Sequence, residues 1–394
     1  MLHYTEAQKL ITSLARSFGV EELVLDDADG RVLAEDIYAD RDYPPFNRAT
    51  MDGYAVNAED WENGTRNFKI QQVVYAGENA HAALAKGSCY KIMTGAPVPP
   101  SANAVIRRED ALQMEDTVSF AVVDIKPYQS IARQGEDMRK GDLVLPKGTV
   151  CSFATISILA SLGKDKVKVK KLPKVALFTT GNEVVDIDIP VSGTQIRNSN
   201  RYLLKSLLKR WQMKPVLCKH VIDDRAQLTV NLSEALDCDM MITCGGVSAG
   251  DADYLPEVLA EIGVKKLFHK VAIRPGRPIW CGQMPNGGLV FALPGNPVSC
   301  MVTFKLFIEK YIAKSLENHE LSEIIIPFKG VRKHAANLDE FFPVQISSEP
   351  SQASILPINS SGDIRLGLHA DAFVHHPAEV SELHDGDVVT CYLL

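Results

Sequence analysis

Three short segments combine glycine with acidic or hydroxyl side chains, and each follows an apolar run. They are Thr179-Thr-Gly-Asn-Glu183, Gly245-Gly-Val-Ser-Ala-Gly-Asp-Ala-Asp253 and Leu293-Pro-Gly-Asn-Pro-Val-Ser299. Glycine lets the backbone approach a ligand closely, and N–H groups at the start of a helix face negative charge. In open α/β sheets, ligands bind beyond the carboxyl ends of the strands. The three segments therefore predict a glycine-lined cleft for a phosphorylated ligand.

Acidic side chains in and near these loops could hold a divalent cation against the same phosphates. Glu183 and Asp253 lie in the loops themselves, and Asp223 and Asp224 follow a further predicted strand. Mg²⁺ is bound through one or two carboxylates together with substrate phosphates. Other roles stay open, because Asp251 and Asp253 could cap the following helix and Glu183 could be solvated. We expect one of Asp223 and Asp224, rather than both, to belong to this cation site.

A basic segment, His269-Lys-Val-Ala-Ile-Arg-Pro-Gly-Arg-Pro278, is the fourth candidate. Its cations Lys270, Arg274 and Arg277 stand among apolar residues, glycine and proline. Arginine forks suit the bidentate recognition of oxyanions. A solvated basic loop is the alternative, but the whole chain has a net charge of −7, so a cationic loop favours an anionic ligand. Ser299 is a further candidate, with a helix N-cap as its other role.

The elements that must position these loops alternate between strand and helix. Val175–Phe178, Met240–Thr243 and Leu289–Ala292 are continuous apolar runs, which are typical of parallel strands covered on both faces. Helical stripes of apolar residues lie between and after them, at Leu203, Leu204, Leu207, Leu208 and Trp211 and again at Met301, Phe304, Phe307, Ile308 and Ile312. This alternation predicts a doubly wound α/β domain.

The flanking parts of the chain predict other domains, as expected for 394 residues. A helix near the N-terminus has Thr5 and Gln8 as a candidate capping box and Gly19 as its stop. Short β-like runs fill the segment from Leu23 to about Lys171, and again the chain after about Asn318. These runs predict small β-rich domains before the α/β domain (173–318) and a small β barrel after it (319–394).

Composition excludes several classes of protein. Hydrophobic residues make up 46% and charged residues 23%, which is ordinary for a globular protein. The negative charge argues against nucleic acid as a partner, and no apolar run approaches the ~20 residues that span a bilayer. The first residues lack a secretory signal, and the eight cysteines contain no Cys-x-x-Cys pair. A cytoplasmic protein with reduced thiols is expected.

Together, these segments resemble the molybdopterin molybdenumtransferases, the family of the MoeA proteins and the gephyrin E domain. The matching motifs run in the family's order from about Met1 to Lys314. They are Pro44-Pro-Phe-Asn-Arg-Ala-Thr-Met-Asp-Gly-Tyr-Ala-Val56, Ile92-Met-Thr-Gly-Ala-Pro-Val-Pro99, Arg133-Gln-Gly-Glu-Asp137, the three glycine loops and Arg274-Pro-Gly-Arg-Pro278. The resemblance implies a four-part subunit, with an elongated N-terminal linker domain (1–42 and 130–172), an inserted β-rich domain (43–129), the α/β domain (173–318) and the C-terminal barrel (319–394). It also implies a homodimer, with the cleft completed by the partner subunit. The implied reaction inserts molybdate into adenylylated molybdopterin and releases AMP, assisted by Mg²⁺.

The resemblance also implies roles for single residues. Glu183, Asp224 and Asp253 match the acids around the nucleotide and cation. The family's phosphate-cradling turn corresponds to Gly245, Gly246 and Ser248. The groups near the pterin phosphate and molybdate correspond to Lys270, Arg274, Arg277 and Ser299, and the cross-subunit contributors to Asp52 and Thr94.

The chain departs from the family at two places. Arg274-Pro-Gly-Arg-Pro278 stands where relatives often have Lys-Pro-Gly-Lys-Pro, which changes the donor geometry. In the barrel, Asp339–Val344 lacks the arginine that the family often has there, which leaves Ser361 as the best barrel candidate. The alternatives to this function are a catalytically idle scaffold and a molybdopterin adenylyltransferase, an enzyme that is also a candidate partner. The acids and the basic loop argue against the scaffold, and the extra terminal domains argue against the adenylyltransferase.

Overall fold

The computed structural model describes residues 1–247, 254–318, 323–334, 337–365 and 368–394. The helices in these ranges are α1 (Tyr4–Ser13), α2 (Ala58–Glu62), α3 (Phe153–Ser161), α4 (Ser199–Arg210), α5 (Arg225–Ser233), α6 (Leu255–Glu261), α7 (Pro297–Thr303) and α8 (Glu309–Leu316), with a π-helical turn at Phe304–Ile308 and 3₁₀ turns at Leu25–Asp27 and Arg108–Asp110. None of these helices is long and apolar enough to cross a membrane.

Most strands in the same ranges are short, as expected from the sequence. They are β1 (Val20–Val24), β2 (Ile37–Tyr38), β3 (Arg48–Ala49), β4 (Gly53–Val56), β5 (Asn67–Val74), β6 (Ser88–Ile92), β7 (Ala104–Arg107), β8 (Ala111–Met114), β9 (Thr117–Phe120), β10 (Ile131–Ala132), β11 (Leu143–Leu145), β12 (Lys166–Lys170), β13 (Val175–Thr180), β14 (Val184–Val185), β15 (Ile196–Arg197), β16 (Leu217–Val221), β17 (Met240–Cys244), β18 (Lys265–His269), β19 (Ile273–Arg274), β20 (Trp280–Gln283), β21 (Leu289–Leu293), β22 (Glu323–Lys329), β23 (Arg332–Lys333), β24 (Asp339–Ser348), β25 (Ser351–Ile355), β26 (Ala372–His376), β27 (Glu382–Leu383) and β28 (Val388–Leu393).

The chain divides into two compact units. One comprises Met1–Ala34, Gly148–Ser157 and Asp165–Leu394, and the other comprises Glu35–Lys147 and Ile158–Lys164. The segment 43–129, expected as an inserted β-rich domain, lies wholly within the second unit. The finer division into four domains stays a prediction.

The α/β sheet of the first unit has the strand order β16-β13-β17-β21-β20-β18. β16, β13, β17 and β21 pair in parallel, whereas the pairings of β21 with β20 and of β20 with β18 are antiparallel. All residues of β13, β17 and β21 are buried, because alternate side chains enter two separate apolar clusters. One cluster contains Leu177, Ile242, Phe291 and α4 residues Leu204 and Leu208, and the other contains Ala176, Met241, Val290 and α6 residues Val258 and Leu259. The predicted doubly wound α/β domain is confirmed.

The barrel of the first unit is closed. β22, β25, β24, β26 and β28 pair in that order, and β28 pairs with β22 again. Strand β19 of the basic segment adds to β24 in parallel, with Ile273 opposite Asp339 and Arg274 opposite Glu340. The small C-terminal β barrel is therefore confirmed, and one strand of the candidate site is paired with it.

The N-terminal helix differs from its predicted ends. His3 is its N-cap, with its ring accepting from the Thr5 N–H while Glu6 accepts from the His3 N–H. The predicted Thr5 and Gln8 capping box is therefore wrong, because the backbone turns helical directly after His3. The helix ends at Ser13 rather than extending to Gly19.

The second unit is built on a six-stranded sheet with the order β7-β4-β6-β5-β9-β8. Aromatic side chains fill its core, with Phe120 in contact with Tyr54, Trp61 and Phe68. Strands β4 and β6 are antiparallel and pair Gly53 with Ile92. This register brings the turn before β4 next to the turn after β6.

All eight cysteines lie in the described ranges, and all are free. The expectation of unpaired thiols is therefore confirmed.

Candidate functional site

The carboxyl ends of β13, β17 and β21 open onto one cavity of about 1760 Å³ in the first unit. All three predicted loops reach it, and the basic segment and the barrel supply further walls. Its lining includes Thr179, Thr180, Gly181, Glu183, Gly245, Gly246, Arg274, Arg277, Pro294, Asn296, Ser299, Arg332, Glu340 and Ser361. The volume exceeds the ~300–1,000 Å³ typical of sites for drug-sized ligands. A ligand larger than a single nucleotide fits such a cavity.

The Gly245–Gly246 turn packs closely against Thr180, and Gly245 leaves no room there for a side chain. Gly245 has φ +100° and Gly246 has φ +67°, which is the left-handed region. A Cβ on Gly245 would lie 2.7 Å from the Thr180 Oγ1, and one on Gly246 would lie 3.1 Å from the same atom. The Gly245 N–H donates to the Leu293 carbonyl, which ties the turn to the third loop. Ser248 and Asp253, the other candidates of this loop, lie outside the described residues.

The two acids that follow β16 have different positions. Asp223 lines the cavity together with Glu183. Asp224 does not line it, because its side chain accepts from the Gln227 N–H at 2.9 Å and caps α5. Between these two acids, which the sequence left as alternatives, the geometry favours Asp223 as a group that faces a ligand. Among the described residues, no group of three or more His, Cys, Asp or Glu side chains could hold a metal ion.

Two of the three predicted cations reach the cavity. Arg274 and Arg277 line it on either side of Gly276, whose Cβ would meet the Thr303 Cγ2 at 2.6 Å. Lys270 does not line it; this residue has φ +67°, and its N–H donates to the Ile279 carbonyl.

The hydroxyl candidate of the third loop also reaches the cavity. Ser299 lines it from within α7, whose N-cap is Asn296. The alternative role of Ser299 as an N-cap is therefore wrong, because α7 begins two residues earlier, at Pro297.

Sequence reasoning missed two asparagines at the start of α4. The Asn198 Nδ2 donates to the Thr179 Oγ1 at 2.7 Å, and its Oδ1 accepts from the Arg201 N–H. The Asn200 side chain lines the cavity, and its Nδ2 donates to the Gly295 carbonyl. These contacts bind the first and third loops to one helix. An Asn-Ser-Asn run directly before a leucine stripe was the available signal, because asparagine is a preferred N-cap.

The barrel contributes an arginine that the sequence prediction did not find. Although Asp339–Val344 contains none, Arg332 lines the cavity and its Nη2 lies 3.1 Å from the Glu340 Oε2. Its guanidinium also lies over the Phe342 ring, 4.1 Å from the centroid. Ser361, the expected barrel candidate, lines the cavity too, and its Oγ accepts from the Asn296 Nδ2 at 2.9 Å. The barrel therefore supplies both a cation and a hydroxyl to this wall.

In the second unit, Asp52 and Thr94 form an exposed pair. The Asp52 Oδ1 accepts from both the backbone N–H and the hydroxyl of Thr94, each at 2.7 Å. These two hydrogen bonds hold the pKa of Asp52 below its usual value, with a smaller contribution from the charge of Arg108. The pairing of β4 with β6 is the reason that two residues so distant in sequence meet.

Comparisons with known proteins agree along the whole chain. Residues 2–163 match a family model described as "MoeA N-terminal region (domain I and II)", and residues 176–314 match one described as "Probable molybdopterin binding domain". The chain is 31% identical over 398 residues to a protein of Synechocystis sp. named molybdopterin molybdenumtransferase, covering 100% of both chains. A protein of the same name from Haemophilus influenzae is 35% identical over 308 residues, covering 78% of this chain and 75% of that relative.

Solved structures give the same result. The molybdopterin biosynthesis moeA protein of Pyrococcus horikoshii OT3 superposes with a TM-score of 0.85 at 29% identity, covering 100% of each chain. A second structure of the Pyrococcus horikoshii protein has a TM-score of 0.80 at 31% identity, covering 100% of this chain and 99% of the other.

Proposed function

The chain belongs to the family of molybdopterin molybdenumtransferases, enzymes of molybdenum cofactor biosynthesis, and we propose that its cavity binds adenylylated molybdopterin together with molybdate. One observation carries the proposal: a glycine turn with no room for a side chain at Gly245 and two arginines line the same cavity. The turn suits a pyrophosphate, because its backbone can approach the phosphate oxygens without a Cβ in between. The arginines suit oxyanions.

Each group has a role in the proposed reaction. Gly245, Gly246 and Ser248 cradle the pyrophosphate, while Arg274, Arg277 and Ser299, which line the cavity, hold the pterin phosphate and molybdate. Lys270 does not line the cavity, so its proposed role beside them rests on the family resemblance alone. The two dithiolene thiols of the pterin bind molybdenum in place of oxo groups of molybdate, which leave as water, and attack of water on the phosphoanhydride releases AMP and leaves the pterin phosphate. Fixed cations aimed at charge that develops in the transition state accelerate such a step.

Mg²⁺ fits the acids of this cavity. Glu183 and Asp223 both line it, and Mg²⁺ needs only one or two carboxylates when substrate phosphates and water complete its shell. We propose that Glu183 and Asp253 hold it together with either Asp224, the acid that the family resemblance implies, or Asp223, the acid that lines the cavity. When bound, Mg²⁺ would neutralise charge on the anhydride oxygens.

The proposed enzyme is a homodimer in which Asp52 and Thr94 of one subunit complete the cleft of the other. The exposed, ionised Asp52 supports this role, because within the described residues its second carboxylate oxygen makes no hydrogen bond and is available to a ligand. We further propose a cytoplasmic location, which agrees with eight free thiols. A molybdopterin adenylyltransferase is the proposed source of the substrate.

A reconstitution tests the proposed function. Purified protein is mixed with adenylylated molybdopterin, Mg²⁺ and molybdate, and both AMP release and activation of an apo molybdoenzyme are followed. Asp253→Ala is expected to abolish AMP release, while the control Asp188→Ala, in an exposed loop, retains it. If wild-type protein binds the pterin but releases no AMP, the proposed activity is wrong. Turnover of the Asp253 variant at the wild-type rate would remove that acid from the mechanism.

The two alternative functions are not favoured. An adenylyltransferase needs only the chain from about Pro173 to Lys314, whereas the Synechocystis relative matches from end to end. A scaffold needs neither the glycine turn nor the arginines of the cavity.

A further inference from the structure

A buried carboxylate joins two arginines on the barrel wall of the cavity. The Glu340 side chain is only 3% exposed, with its Oε1 at 3.5 Å from the Arg274 Nη1 and its Oε2 at 3.1 Å from the Arg332 Nη2. Arg274 reaches it because β19 pairs with β24 in the register that sets Arg274 opposite Glu340. The two arginines come from separate segments, and the acid brings them to the same wall.

The two arginines are held differently. Arg332 is fixed by its hydrogen bond to Glu340 and by its stack on Phe342, and 29% of its side chain is exposed. Arg274 is 57% exposed, and its contact with Glu340 is longer than an ordinary hydrogen bond. The Glu340 Oε1 has no hydrogen-bond partner in the described part of the chain. Arg274 therefore keeps N–H donors available for a ligand. Arg332 is held in place, so it offers a fixed positive charge to the side of that ligand that faces the barrel.

We propose that Glu340 is a positioning residue for this arginine pair and that its negative charge limits how tightly the pair holds a doubly charged oxyanion. The inference rests on the proposed function, since it assigns the barrel contact of the same oxyanion site to Arg332. Two guanidinium groups and one carboxylate give the wall one net positive charge. A dianion is attracted to that charge but repelled by the carboxylate behind it. The site then binds a tetrahedral dianion and also releases it.

The test is calorimetric titration of the full-length protein with sodium molybdate and, separately, sodium sulfate. Glu340→Gln keeps the size of the side chain and an oxygen that can accept from Arg332, but it removes the charge. We expect it to bind both dianions at least about tenfold more tightly, because one repulsive charge is lost close to the ligand. Arg332→Gln is expected to bind both about tenfold more weakly, through loss of a charged hydrogen-bond donor.

Asp339→Asn is the matched control. Asp339 precedes Glu340 on β24 and is equally buried, but its carboxylate faces His3 and His375 instead of the cavity. The loss of this carboxylate should change barrel stability without changing anion affinity by more than about twofold.

The direction of the change separates the outcomes. General damage to the barrel would weaken binding, so tighter binding by Glu340→Gln supports a charge effect. Unchanged or weaker binding by Glu340→Gln in a folded protein overturns the inference, and so does the absence of anion binding to both proteins. Failure of the proposed function would appear as missing AMP release by wild-type protein. The ratio of anion affinity between Glu340→Gln and wild-type protein would not change with that result.

Discussion

Asp52 and Thr94 meet through two hydrogen bonds to one carboxylate oxygen, although β4 and β6 lie far apart along the chain. Because both donors stabilise the ionised form, the pKa of Asp52 is lower in the folded chain than in the unfolded one. The pair therefore stabilises the fold above the unfolded pKa, and that contribution is lost as pH falls through the folded pKa.

Thr94→Val should raise the pKa of Asp52 toward its usual value, because the hydroxyl donor is lost while the backbone N–H remains. The measurement is an NMR titration of the aspartate side-chain carboxyl carbons through the acidic range. Thr117→Val is the control, since the Thr117 hydroxyl donates to the Met114 carbonyl in the same sheet. An unshifted Asp52 in Thr94→Val would contradict the assigned cause.

Gly245→Ala should destabilise the first unit by about 1–3 kcal/mol. Alanine is strained at the φ of this position, and its Cβ would overlap Thr180. Gly386→Ala provides the comparison, since Gly386 has φ +89° but nothing within 4 Å of its Cβ. In scanning calorimetry, the midpoint temperature of unfolding should be lower for Gly245→Ala than for Gly386→Ala. Equal midpoints would mean that the turn moves aside at no cost.

The cap and ligand roles of Asp224 can be separated with two substitutions. Asp224→Ala should lose about 1 kcal/mol of stability, because α5 loses its N-cap, whereas Asp224→Asn should keep the cap. If Asp224 also holds Mg²⁺, both variants lose AMP release. Full activity of Asp224→Asn would leave Asp224 as a cap alone and transfer the ligand role to Asp223. Thermal melts and the AMP assay, run in parallel, decide between these outcomes.

Cys218 should be the first thiol to react with iodoacetamide in the folded protein. It is half-buried, whereas the other seven cysteines are buried. Burial raises the pKa of Cys89 to about 12 and that of Cys151 and Cys391 to about 11, so little thiolate forms at those positions. Peptide mass spectrometry should find early label at Cys218 and none at Cys89 until urea is added. Early label at Cys89 would contradict the burial.

The sequence predicted the sheet and the convergence of its loops because β13, β17 and β21 are continuous apolar runs. In parallel strands with that pattern, the carboxyl ends share one edge. The choice between Asp223 and Asp224 could not be predicted, because it depends on the residue at which α5 begins.

The position of Arg332 in the cavity wall could not be predicted from the sequence for a different reason. It reaches the cavity through contacts with Glu340 and Phe342, which exist only after the barrel has closed. The N-cap of α1 was missed because histidine is not among the preferred caps, yet His3 performs that role here.

The pairing of β19 with β24 has a consequence for how this chain can be recombined. A chimera that exchanged the barrel for that of a relative would also exchange the neighbour of Arg274, because Glu340 travels with the barrel and Arg274 does not. The boundary between the barrel and the rest of the first unit thus passes through the candidate anion site. Grafting experiments should move Ile273 and Arg274 together with the barrel.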